Sequence, residues 1–341
     1  MLKTKQFQNT VAMADAAYAL KNIKRFAALC ALAGLLVYPA AATAQTFPDR
    51  PIKIIVPFGA ASGTDAVARA MGDELTKLAK VPVLVENIPG ANGILGSQAA
   101  AKAPPDGYTI LMATSTTHAA NGAMYKKLPY DPIKDFEPIM KTAEAPVVLV
   151  VRTESPYRTV SEFMADVKAR KRLSFGSSSA ASRIAAEMIK SSLHGDLLNV
   201  PYKTSPQALT DLIGGQIDFM TIDLGPAMPL IKGGKLRALA VASVGPDSQL
   251  PGVPTLSNSG LKDYELVTFG GVLAPAGTPP RVVEQLNAWM RQVMESPKVR
   301  ERLAQTGITA AASSPQEFRV YLEKEKVKWA RAVKDAGIEP E

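Results

Sequence analysis

The sequence predicts an α/β protein of two lobes, with parallel-rich sheets flanked by helices. Short apolar runs rich in β-branched residues alternate with helical patterns along most of the chain, the order that βαβ units and a parallel sheet generate. Two turns of small, hydroxyl-bearing residues, at 59–63 and 177–182, stand where a strand passes into a helix. Hydrophobic residues make up 47% of the chain, and its length is enough for two cores. The pattern places residues 45–145 with 268–341 in one lobe and 146–267 in the other.

The N-terminal segment, 1–44, reads as a leader outside the fold. Lys21, Lys24 and Arg25 precede an uncharged run over 26–42, and Ala42-Thr43-Ala44 is an A-x-A site, the pattern of a cleaved secretory signal peptide. Cys30 falls inside it, so the mature chain from Gln45 has no cysteine and forms no disulfide despite export. The formal charge of +8 includes five cationic residues and one acidic residue of the leader, which leaves about +4 on the mature protein. That balance steers small anions but lacks the clustered basic stripe that nucleic acid requires.

The first strand is 52–56, Ile-Lys-Ile-Ile-Val, apolar because parallel strands are covered on both faces. The small-residue turn then leads to a helix at 64–79 with Thr64 and Asp65 at its N-cap. A strand at 81–86, a helix at 92–102, a strand at 108–114 and a short helix at 118–125 complete the first run. Ala145-Pro146 introduces five apolar residues at 147–151, where the chain crosses between lobes. The second run has helices at 159–171, 183–193, 206–213 and 226–232, and strands at 173–176, 197–202, 216–222 and 236–243. Gly214-Gly215 and Gly233-Gly234 suit helix C-caps. Near Thr268 the chain returns to the first lobe, with a strand at 269–274, a stiff turn at 275–280 and amphipathic helices at 281–294, 297–305 and 315–336. Pro280, Pro297 and Pro315 stand near the helix starts, where a missing N–H costs little.

Function is carried by the two turns. Backbone N–H groups at a helix start have no partner inside the helix, and the helix dipole adds partial positive charge where they point. One such turn in each lobe lets both face a single cleft and grip an anion with backbone and hydroxyl donors. Catalysis has little to build on. His118 and His194 are far apart, the mature chain lacks cysteine, and Gly176-Ser177-Ser178-Ser179-Ala180 departs from the G-x-S-x-G elbow. The expectation is therefore a binding protein without enzymatic activity, metal or cofactor.

Several segments, in one order, carry a family resemblance. They include Phe47-Pro48-Asp49-Arg50-Pro51-Ile52, Val56-Pro57-Phe58 with Thr64-Asp65, Val85-Glu86-Asn87 with Pro89-Gly90-Ala91-Asn92-Gly93, and Pro105-Asp106-Gly107-Tyr108-Thr109. Further along stand the segment 128–136, Val200-Pro201-Tyr202-Lys203, Asp211-Leu212-Ile213-Gly214-Gly215-Gln216-Ile217-Asp218, Gly234-Lys235-Leu236-Arg237-Ala238-Leu239-Ala240 and Ala274-Pro275-Ala276-Gly277-Thr278-Pro279. In these the chain resembles the periplasmic substrate-binding receptors of tripartite tricarboxylate transporters, the Bug family. The resemblance implies a two-lobed type II periplasmic-binding-protein fold that closes on a carboxylate held by the two turns and ordered water. Carried over by position, the first turn offers Phe58, Ala60, Ala61, Ser62, Thr64 and Asp65, and the second Ser177, Ser178, Ser179, Ala180 and Ser182. Thr117, His118 and Asp223 fall at cleft-facing strand ends, and Lys203 completes the set.

Some of these residues have plainer readings. Asp65 can cap its helix, His118 can hydrogen-bond a loop, and Lys203 can pair at the surface. A carboxylate at Asp223 repels an anion unless the ligand offers it a hydroxyl or amine. Where relatives carry adjacent glycines, this chain has Ala61-Ser62; a methyl group disfavours positive φ, so a different donor geometry is expected. The usual Tyr-Lys-Gly is Tyr202-Lys203-Thr204 here. The function implied is a monomeric periplasmic receptor that delivers a small organic acid to membrane permease subunits. The alternatives are a receptor that reports ligand to a signalling partner and, more distantly, an exported hydrolase.

Overall fold

The computed structural model describes residues 47–341, together with Tyr18 and Lys21. The expected signal peptide therefore lies, those two residues apart, outside the described residues. Among the described residues no helix is long and apolar enough to cross a membrane.

Strand β1 (Ile52–Val56) lies between parallel neighbours β2 (Val83–Asn87) and β3 (Thr109–Thr114), with Ile54 level with Val85 and Ile110. Its Ile52, Ile54, Ile55 and Val56 are all buried, because helices cover both faces. Strand β9 (Val267–Pro275) runs antiparallel to β3 and to β4 (Phe136–Arg152). Beyond β4 come β7 (Phe219–Asp223), β5 (Leu173–Ser177) and β6 (Leu197–Pro201). The path β2-β1-β3-β9-β4-β7-β5-β6 is continuous, with β8 (Leu236–Val241) and β10 (Thr309–Ala310) also paired to β4. The expected parallel pairs occupy its two ends, and its middle is antiparallel.

β4 joins two half-sheets. Its residues 136–146 pair with β9, whereas 147–152 pair with β7 and β8. The sequence pattern showed only 147–151, since Pro138, Lys141, Glu144 and Pro146 interrupt the apolar run before it. Bulges after Pro138 and Lys141 absorb these residues.

Helices α1 (Gly63–Ala79), α2 (Ile94–Ala101) and α3 (Asn121–Met124) follow the strands of the first half. α4 (Val160–Lys168), α5 (Ala180–Leu193), α6 (Ser205–Ile213) and α7 (Leu224–Lys232) follow in the second. α8 (Pro280–Glu295), α9 (Pro297–Ala304) and α10 (Pro315–Asp335) close the chain. α5 begins at Ala180, not at residue 183, because Ser179 caps it there. β7 begins at Phe219, because 216–218 are spent on the turn out of α6.

One core packs Ile54, Val56, Met71, Ile110, Met112, Leu286 and Met290 around β1. A second packs Val148, Val150, Leu209, Leu212, Met220 and Met228 beneath α6 and α7. A third spans both half-sheets and includes Leu111, Phe136, Leu149, Phe163, Phe175, Ile184, Phe219, Phe318 and Trp329. Phe163 and Phe219 meet edge to face at 4.9 Å, an arrangement that adds about 1 kcal/mol beyond burial.

Candidate functional site

The strands of each half-sheet deliver helix N-termini to the seam between the halves. In the first half the chain leaves β1 and turns at 59–62. Ser62, not Thr64 or Asp65, is the N-cap of α1, and its Oγ accepts from Asp65 N at 3.2 Å. Asp65 is buried and fully engaged: Oδ2 accepts from Ala61 N and Arg69 Nε, both at 3.0 Å, and Oδ1 accepts from Asn87 Nδ2 at 2.9 Å. Burial alone would raise its pKa, but the bonds from Arg69, Asn87 and Ala61 hold it below the ordinary carboxylate value. This network pins Ala61 at φ 61°, the left-handed conformation that its methyl group disfavours. The expected departure from a glycine-like turn is thus overridden by the Asp65 staple.

In the second half Ser179 caps α5 and forms a reciprocal capping box with Ser182. Ser182 Oγ accepts from Ser178 N at 3.1 Å and from Ser179 N at 3.2 Å. Ser178 Oγ lies 2.9 Å from Ser205 Oγ at the start of α6, so the turn after β5 and the next helix start are tied together. Ala181 N donates to Thr116 Oγ1 at 3.3 Å, which joins α5 to the turn after β3.

Between these turns lies a cleft of about 780 Å³, its open mouth included, within the size range of small-molecule sites. Four helix N-termini open onto it: α1 through Ser62, Gly63 and Thr64, α5 through Ser178, Ser179 and Ala181, α6 through Ser205, and α7 through Asp223, Gly225 and Pro226. Thr114 at the end of β3 and Ser115 and Thr116 after it add hydroxyls, Thr268 adds one from β9, and Phe58, Phe269 and Ile308 form apolar wall. Among the described residues that line it there is no lysine, arginine or histidine, and the carboxylates are Glu144 and Asp223. Glu144 is paired with Lys141 at 2.8 Å. Asp223 stands at the N-cap of α7 yet makes no capping bond; its Oδ1 lies 2.9 Å from Thr268 Oγ1. Burial pushes this carboxyl up, and the Thr268 bond offsets only part of that.

Of the residues singled out from sequence, Phe58, Ser62, Thr64, Ser178, Ser179 and Asp223 line the cleft. The others stand outside its lining. Ala60 and Ala61 are exposed, and Asp65 faces Arg69 and Asn87. Ser177 Oγ donates to Asn199 at 2.7 Å, Ala180 is buried in the first turn of α5, and Ser182 points back at its own turn. Thr117 is fully buried and bonds His118 Nδ1 at 2.8 Å. His118 is also fully buried, 4.8 Å from the Phe136 ring, and burial lowers its pKa to about 3. Lys203 is exposed. Its neighbour Thr204 instead meets the opposite half: a Cβ built at Gly59 would stand 2.6 Å from Thr204 Cγ2. Ser115, Thr116, Ser205 and Thr268 were missed. A hydroxyl one residue before Pro206 at a helix start was a usable signal for Ser205, whereas Thr268 reaches the cleft only through pairing with β4.

The fold and its seam define the two-lobed periplasmic-binding class. The family model for the tripartite tricarboxylate transporter family receptor matches residues 67–338, and the chain belongs to that family. It is 35% identical over 302 residues to a UPF0065 protein of Bordetella bronchiseptica, covering 88% of this chain and 90% of that one. The solved periplasmic binding protein BugD is similar at 32% identity and TM-score 0.83, over 86% of this chain and all of its own. R. palustris Rpa4515 with adipate is similar at 30% identity and TM-score 0.84, with 86% and 100% covered. MatC of Rhodopseudomonas palustris with bound malate is similar at 32% identity and TM-score 0.80, with 84% and 100% covered.

Proposed function

We propose that this protein is an exported receptor that captures a small carboxylate in the cleft and delivers it to the permease subunits of a tripartite transporter. The observation that carries this reading is the convergence of four helix N-termini on a cleft without lysine or arginine in its lining. Such N-termini hold anions through dipole charge and through N–H groups without a partner; at α5 the amides of Ser178, Ser179, Ala181 and Ser182 already have acceptors, so that end acts through its dipole and hydroxyls. Among the described residues, the amides of Gly63 and Thr64 have no other acceptor. The relatives that carry adipate and malate support the same ligand class. We take the half-sheets as lobes with boundaries near 145 and 268, the receptor as a monomer located in the periplasm, and its action as capture without turnover. In the first turn Phe58, Ser62 and Thr64 meet the ligand, and in the second Ser178 and Ser179, with Asp65 and Ser182 shaping the turns behind them.

A thermal-shift screen of the chain from Gln45 onward tests this, with mono-, di- and tricarboxylates including malate and adipate, aromatic acids and neutral amides. A ligand present at 100 times its Kd stabilises the folded state by about 2.7 kcal/mol, so one acid class is expected to raise the Tm by several degrees. Shifts with neutral amides alone, or no shift with any acid, would overturn the carboxylate assignment.

A further inference from the structure

We propose that Asp223 is a proton acceptor built into the ligand cleft, so that this receptor takes up one proton together with its anionic ligand. The proposal rests on the carboxylate reading of the cleft and adds the charge state in which that ligand is held. Asp223 is the uncompensated carboxylate of the site. Glu144 has Lys141 at 2.8 Å and Asp65 has Arg69 at 3.0 Å, whereas among the described residues Asp223 has no ion-pair partner, and its one side-chain hydrogen bond is from Thr268. The cleft that Asp223 shares is lined by Glu144, paired with Lys141, on β4, by Thr268 on β9, by Ser178 and Ser179 before α5, and by Thr64 on α1. A carboxylate ligand entering this space meets a like charge on the half-buried Asp223, a situation that favours neutralising one of the two groups.

Thr268 supplies the means. Its single hydroxyl hydrogen stands between two acceptors, Asp223 Oδ1 at 2.9 Å and the Ala145 carbonyl at 3.0 Å. A backbone carbonyl only accepts, and a hydroxyl can donate once while accepting. With Asp223 ionised, Thr268 donates to it. With Asp223 protonated, the acid donates to Thr268, whose hydrogen turns to Ala145. Both states are satisfied with no heavy atom displaced, so the site holds either charge. The unused capping position of Asp223 fits the same role, because a carboxylate committed to the α7 amides would be locked in its ionised form. The proton comes from solvent and resides on the Asp223 carboxyl while the ligand carboxylate faces the helix N-termini. Burial already favours the neutral acid.

Calorimetric titration of the wild-type protein with malate and adipate tests this between about pH 6.5 and 8.5, where both ligands are ionised. Run in two buffers of different ionisation heat, the titration is expected to show uptake of about one proton, with affinity falling up to tenfold per pH unit as pH rises. The variant Asp223→Asn, whose amide stands in for the neutral acid, is expected to bind within about threefold of wild type at the lower pH and to lose the pH dependence. Binding without proton uptake would overturn the proposal and leave the carboxylate receptor standing. Loss of binding in a folded Asp223→Asn protein would overturn it in favour of an ionised Asp223 that accepts a hydroxyl or ammonium group of the ligand. If no acid binds the wild type, the carboxylate reading falls and the proposal with it.

Discussion

Each capping serine of the cleft closes its own turn, Ser62 Oγ by accepting from Asp65 N and Ser179 Oγ by accepting from Ser182 N. Ser62, Ser178 and Ser179 were legible as members of small hydroxyl-bearing turns and through the family resemblance, but not as caps, since the sequence pattern put the first cap at Thr64 and Asp65 and began the second helix at 183. Asp65 was legible as a turn residue but not as the clamp on Ala61, which needs Asn87 and Arg69 to complete it. Thr268 was hidden because its partners, Ala145 and Asp223, are brought to it by the sheet from 123 and 45 positions away. His118 looked like a cleft residue by position, yet it is packed against Phe136 and Tyr130 with Nε2 free of any hydrogen bond. Its pKa of about 3 when folded, against 6.5 ordinarily, has a defined consequence. The unfolded chain binds a proton below about pH 6.5 that the folded chain refuses, so His118 contributes fully above that pH and its contribution is lost as pH falls toward 3. His118→Gln removes the titration. Thermal melts from pH 7 to 5 are expected to show wild type losing about 2 kcal/mol more than the variant over that range; parallel curves would refute the buried neutral imidazole.

Helices and strands were legible to different degrees. Helix caps and proline starts placed α8, α9 and α10 to within a residue or two, since Pro280, Pro297 and Pro315 act locally. β4 was half lost, because the polar residues at 137, 141 and 144 find partners only in the folded sheet: Glu137 with Arg319, Lys141 with Glu144. Capping can also be separated from ligand holding. The capping box of Thr159 and Glu162 on α4 lies away from the cleft lining, whereas that of Ser179 and Ser182 on α5 shapes it. Thr159→Ala is expected to cost about 1 kcal/mol in urea denaturation and leave ligand affinity unchanged. Ser182→Ala is expected to cost a similar amount and weaken binding about tenfold, because the amides of Ser178 and Ser179 lose the acceptor that orients them. Equal affinities for the two variants would show that the second turn does not depend on its box.

At the scale of the molecule the two half-sheets already touch across the cleft, with the Thr204 methyl against Gly59 and Thr116 bonded to Ala181. Gly59→Ala would force the halves apart at this point, and overpacking of this kind costs about 1–3 kcal/mol, or roughly tenfold or more in affinity for a ligand that needs closure. Thr204→Ala removes the methyl and leaves its Cβ 3.3 Å from the added one, so the double variant is expected to regain most of the loss. X-ray scattering would show Gly59→Ala with the larger radius; no rescue by Thr204→Ala would assign the defect elsewhere. The continuity of β4 sets how such opening occurs. β4 runs through the seam and β9 begins at it, with Pro146 level with Val267, so relative rotation of the halves has to be taken up as added twist of β4 rather than as free swivelling about a loop. The seam is then a torsion spring with a resting angle. Its stiffness, set by residues such as Pro146, becomes a determinant of affinity separate from the groups that line the cleft.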